Sequence, residues 1–152
     1  MGKLVATAAI IFAVSSIILL SLAHQNDYLL ISGSESCILP AKNFSVSFIH
    51  SVELSKEVDF FYVQNGEIYL YKTLVRSAGW GLPSTENFTT TDEGFEYAIK
   101  RRIGVLRIST NPLNHYSLGV DGKSISLDKF GSSLEIKVVR ISPLVAALQR
   151  WC

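Results

Sequence analysis

A surplus of charge of either sign is missing from this chain. Its 152 residues hold 14 Lys and Arg against 13 Asp and Glu, a formal net charge of +1. Lys3 is the only charged residue before Asp27, and without it the two signs balance. A neutral body removes the electrostatic footing that nucleic-acid binding requires. The Gly-x-Ser-x-Gly elbow of hydrolases is absent, although Ser51, Ser77, His50 and several acids are present. Gly79-x-Gly81 lacks the third glycine of a dinucleotide fingerprint, and no βαβ pattern surrounds it. There is no internal repeat and no low-complexity segment. Cysteine is scarce, with only Cys37 and Cys152. Two fates are open to them: a disulfide that closes nearly the whole domain outside the cytoplasm, or a free thiol at Cys152.

Charge is also missing from Leu4 to Ala23, where Thr7, Ser15, Ser16 and Ser21 are the only polar interruptions. As a helix this run reaches roughly 30 Å, about one hydrocarbon core. Lys3 before it and His24-Gln25-Asn26-Asp27 after it predict the N-terminus in the cytoplasm and the body outside. Ser21-Leu22-Ala23 offers the small residues of a signal-peptidase site, but the run exceeds the roughly 7–15 residues of a signal core. Residues 1–24 are therefore expected to be a retained single-pass anchor in the cell membrane, with a cleaved signal peptide as the alternative. Residues 25–152 form an extracytoplasmic domain on either reading.

Hydrophobic residues make up 48% of the chain, with Val, Ile, Phe, Tyr and Thr plentiful. Phe44 to Val52 alternates with period 2 and reads as a half-buried strand, with His50 in register with the apolar face. Glu57 to Gln64 is nearly all apolar and reads as a central strand covered on both faces. Asn65-Gly66 and Asp121-Gly122 are two-residue hairpin turns. Ser84 to Gly94 is a polar loop. Ser142-Pro143 starts a closing helix as N-cap and first helical residue. Together the pattern gives an all-β fold: one antiparallel β-sandwich or barrel of about eight to ten short strands after one N-terminal transmembrane helix.

His50, Ser51, Glu53, Glu57 and His115 are residue types that a metal site would use, but no local motif supplies ligand geometry. Strand parity sends His50 and Glu53 to opposite faces unless the chain bends there. The same parity separates adjacent His50 and Ser51, which weakens a catalytic reading. A buried imidazole that orders the strand end by hydrogen bonding accounts for His50 without chemistry. Trp80, between two glycines, is either a plug for the end of the sandwich or an anchor for a partner. Phe60, Phe61, Tyr62, Tyr69 and Tyr71 read as cross-strand pairs. No cofactor and no metal are expected.

Phe48-Ile49-His50-Ser51-Val52-Glu53, then Ser77-x-Gly79-x-Gly81-Leu82-Pro83, then Arg102 before a strand and Asn114-His115, follow one another after an N-terminal apolar segment. This order resembles a small family, domain of unknown function 1850, across essentially the whole chain after the anchor. Asp59 stands where the family tends to have Glu, and Trp80 where it tends to have a small residue. Members are typically met beside the fused membrane permeases of TAXI-type TRAP transporters, which import solutes with an ion gradient and an external binding protein. The resemblance implies a non-enzymatic accessory subunit of such a transporter, whose partners are the permease and its solute-binding protein. Its binding residues would be His50, Ser51, Glu53, Asp59, Ser77, Gly79, Trp80, Gly81, Leu82, Pro83, Arg102, Asn114 and His115. The alternative is a solute- or glycan-binding module at the cell surface that uses Trp80 and nearby tyrosines.

Overall fold

The computed structural model describes residues 2–40, 42–76 and 88–152. It begins with α1 (Gly2–Ala23), whose segment Val5–Ala23 has a mean hydropathy of 2.5 and none of it buried. α1 is apolar on every side and long enough to cross a bilayer, which makes it a candidate membrane span or signal sequence.

Two antiparallel sheets follow. The smaller has the order β2-β1-β11-β8, from β1 (Asn26–Ser32), β2 (Ser36–Pro40), β8 (Val105–Ser109) and β11 (Ser133–Ile141). The larger has the order β10-β9-β3-β4-β5-β7-β6. Its strands are β3 (Phe44–Ile49), β4 (Lys56–Gln64), β5 (Glu67–Val75), β6 (Phe88–Thr91), β7 (Gly94–Arg102), β9 (Ser117–Val120) and β10 (Lys123–Ser126). Leu29, Ile31, Leu134 and Ile136 of the small sheet share one core with Phe44, Val46, Phe61, Ile68 and Leu118 of the large one. Along β3 and the first half of β11 buried residues alternate with outward ones, as a sandwich requires.

The all-β sandwich behind an N-terminal helix is as expected. Both hairpins form: Asn65 and Gly66 have φ of 54° and 78°, Asp121 and Gly122 of 48° and 75°. These are the left-handed values that a type I′ turn demands. Ser142 caps α2 (Pro143–Ala147) by accepting from the Val145 N–H at 3.3 Å. Cys37 and Cys152 are joined in a disulfide, with their Cα atoms 5.2 Å apart. The Ile38 N–H donates to Arg150 O at 2.9 Å and the Cys152 N–H to Ile38 O at 3.2 Å, so the tail covers the edge of β2.

Three expectations need correction. β3 ends at Ile49, not Val52, because the chain folds back: the His50 N–H donates to Ser55 O and the Leu54 N–H to His50 O, both at 2.9 Å. The polar run contains a strand, β6, paired with β7 and exposed along its length, which brings the strands among the described residues to eleven. β4 is central in its sheet but, among the described residues, covered on one face only. Its outer face is shielded by its own aromatics: Tyr62 stacks on Tyr69 at 5.1 Å, and Phe60 and Tyr62 both lean on Tyr71. Such cross-strand pairs stabilise a solvent-facing surface without a covering layer.

Candidate functional site

Parity along β4 places Glu57, Asp59 and Phe61 on the inner face. Phe61 is 2% exposed and stacks on Phe44 of β3 at 4.9 Å. The two carboxylates continue the same row toward the open end of the sandwich. Across β3, Asp59 is in register with Val46 and Glu57 with Phe48. Across β5 they face Thr73 and Val75, and beyond these stand Tyr97 and Phe95 of β7. Thr73 and Tyr97 are each 4% exposed. The Thr73 hydroxyl donates to Asp59 Oδ1 at 2.6 Å, a short charge-assisted bond.

The fold-back after β3 supplies the bend that strand parity alone did not provide. Leu54, at φ 50°, completes it. His50 and Glu53 then both act electrostatically on Glu57. Burial holds the Glu57 carboxyl above its usual range, and the charges of Asp59 and Glu53 push it further while the His50 imidazole opposes them. Burial also raises Asp59, against the pull of the Thr73 hydroxyl. His50 Nδ1 is buried and has no hydrogen-bond partner among the described residues. The backbone N–H and carbonyl of His50 hold the turn, which keeps the imidazole within electrostatic reach of Glu57.

Other expected site residues fall elsewhere. Ser51 is exposed in the turn, and no hydrogen bond joins it to His50 among the described residues. The 3₁₀ turn Pro112–Asn114 lies against β3, and Tyr116 stacks on Phe48 at 4.9 Å, so Asn114 borders this end of the sheet. His115 is exposed, at φ 47°, and no hydrogen bond joins it to the cluster among the described residues. Arg102 is displaced to the other end of the sheet: its Nη2 binds Glu67 Oε1 at 2.6 Å. Five strand positions from Tyr97, it stands roughly 16 Å away. Ser77, Gly79, Trp80, Gly81, Leu82 and Pro83 lie outside the described residues. Among the described residues, no three His, Cys, Asp or Glu side chains are arranged to hold a metal ion. Chemically the cluster is a half-buried group of three carboxylates with one imidazole, suited to receiving a cationic group.

Sequence reasoning missed Thr73 and Tyr97 and saw Glu57 only as a metal-type residue. The available signal was the spacing Glu57-x-Asp59-x-Phe61, which puts two acids in register with a core aromatic.

The family described as Domain of unknown function (DUF1850) matches residues 44–127. The chain belongs to this family. The DUF1850 match starts at the first residue of β3 and ends just past β10. It takes in the whole seven-stranded sheet together with β8, and leaves out α1, β1, β2 and β11. All members of the cluster lie within it. No curated protein matches the chain, and no solved structure does.

Proposed function

We propose that this DUF1850 protein is a membrane-anchored, extracytoplasmic accessory subunit of a TAXI-type TRAP solute transporter, with a non-enzymatic docking role. The observation that carries the reading is the position of the acidic cluster relative to α1. β1 starts three residues after α1, and Asp27 in it binds Arg140 of β11 at 2.8 Å. Nη2 of Arg140 stands 3.4 Å from where a Cβ on Gly66 would lie, so the β4–β5 hairpin is at the α1 end. The cluster is at the opposite end of β4. From Gln64 to Glu57 the strand runs roughly 23 Å. On this reading α1 packs among permease helices, while His50, Glu53, Glu57 and Asp59, at the end of the sandwich far from α1, meet an external binding protein. That partner would present Lys or Arg, since half-buried carboxylates gain most from a desolvated opposite charge.

Co-purification of tagged protein with the permease and the binding protein tests this. Glu53→Lys with Glu57→Lys is expected to release the binding protein and keep the permease. A protein that purifies alone, and whose deletion leaves uptake unchanged, would end the proposal.

A second reading has its own observation. The outer face of the large sheet holds a trough of about 430 Å³, floored by Ser45, Ser47, Ser117 and Gly119 and walled by Phe60 and Tyr71. Ser47 and Ser117 hydroxyls are 2.9 Å apart, and a Cβ on Gly119 would come within 2.6 Å of Ser45 Oγ, which keeps the floor low. Hydroxyls below and aromatic faces beside are the chemistry of a saccharide site. Calorimetric titration with cellotetraose and oligogalacturonate tests it. Tyr71→Ala is expected to abolish the binding, and heat from neither sugar would dismiss this reading.

A further inference from the structure

α2 begins where α1 ends. Asn26, three residues after the last residue of α1, is in register with Ile141, two residues before the start of α2. The two helices touch although they come from opposite ends of the sequence. α2 turns Ala146 fully inward and leaves Leu144, Val145 and Leu148 outward, with Leu148 82% exposed. Trp151, 47% exposed, extends the patch. Its Nε1 donates to Ala146 O at 3.1 Å, and its ring stands edge-on to Tyr28 at 5.9 Å. This surface is held firmly. Ser142 caps α2 on one side, and the pairing with Ile38 and the Cys37–Cys152 disulfide hold the tail on the other.

We propose that Leu144, Val145, Leu148 and Trp151 form a rigid collar that lies in the boundary between headgroups and acyl chains of the phospholipid bilayer. The inference rests on α1 being retained as an anchor. A spanning helix leaves the hydrocarbon at its end, so a surface touching that end meets the interface. Exposed aliphatic residues beside a tryptophan with an engaged N–H suit that boundary, where apolar atoms face the chains and polar ones the headgroups. In water the same patch would be costly to leave uncovered. The collar would fix the tilt of the sandwich and so hold the acidic cluster at a set height above the membrane.

The test uses the full chain in phosphatidylcholine vesicles. Both native cysteines are in the disulfide, so Leu148→Cys provides a single thiol for an environment-sensitive nitrobenzoxadiazole label, and Leu144→Cys a second placement. The label at Val52→Cys, 69% exposed at the far end of the sandwich, is the control. Phosphatidylcholine brominated on its acyl chains is expected to remove most of the emission at position 148 and at 144, and none at 52. Adding Val145→Asp to the Leu148→Cys protein should restore the emission. Equal emission at 148, 144 and 52 in protein that floats with the vesicles would overturn the collar and leave the anchor intact. Protein that does not float would overturn the anchor and the collar with it.

Discussion

Thr73→Val is the most informative single change. Valine keeps the β-branched shape that suits β5 and fills the same buried space, so the change removes little besides the hydroxyl. That hydroxyl is 2.6 Å from Asp59 Oδ1, inside a site where Thr73 is 4% exposed. A hydrogen bond to a charged group is worth about 1.5–3 kcal/mol, and an abandoned buried acceptor adds desolvation. A loss of about 2 kcal/mol at neutral pH is therefore expected, roughly 8 °C in midpoint for a domain of this size. The loss should depend on pH. The hydroxyl holds Asp59 down against burial, so the valine variant has the higher folded carboxyl pKa. The variant's folded state then binds a proton more tightly, and its disadvantage grows as pH rises through the two folded values and shrinks on acidification. Urea unfolding of detergent-solubilised protein between pH 4 and 8 measures this, using roughly half-unit steps around the ordinary carboxylate range. In an Asp59→Asn background the cost should fall to about 1 kcal/mol, that of a neutral bond. A loss that is the same at every pH and in both backgrounds would refute the claim that Thr73 supports a charged Asp59.

Three further outcomes follow from the fold and the cluster. Glu57→Gln is expected to raise the thermal midpoint at pH 7.5 and lose that advantage on acidification, because a carboxyl with a raised folded pKa stabilises below its unfolded value and costs stability above it; circular dichroism melts at the two extremes check the sign. Gly94→Ala should cost roughly 3 kcal/mol, since its φ is 134° and a Cβ would lie 2.2 Å from Val75 O and 2.9 Å from Arg76 Cα, both backbone atoms; the urea midpoint reports it. Cys152→Ser should cost about 2–5 kcal/mol, the range for a lost native bridge in a small domain, here one between cysteines 115 residues apart; reduced wild-type protein should melt with the serine variant.

Elements fixed by local chemistry could be read directly. Asn65-Gly66 and Asp121-Gly122 specify their turns through two residues each, and Ser142-Pro143 specifies a helix start the same way. The charge-free run before Ala23 made α1 equally plain. The resemblance to DUF1850 rested on short motifs and held for the stretch from Phe44 to Leu127. What escaped was decided by non-local geometry. The turn at Ser51–Leu54 ends β3 through backbone bonds that no side chain announces. Whether Cys37 and Cys152 pair depended on the tail reaching the edge of β2, a contact across the whole chain. The inward pair Glu57 and Asp59 was hidden by strong apolar neighbours, since Val58, Phe60 and Tyr62 made both faces of β4 look buried. Their inward placement showed only when β5 brought Thr73 opposite Asp59. Arg102 looked like a companion of His50 in sequence order, yet it sits at the other end of β7, against Glu67.

The proposed docking role of the cluster is tested most directly by a photo-crosslinking residue placed at Leu54, 79% exposed beside Glu53, in cells that express the permease and a tagged binding protein. The expected result is a covalent adduct with the binding protein from Leu54 and none from the same residue placed at Arg102. Adducts from Arg102 and none from Leu54, or none from either position while uptake continues, would contradict the account.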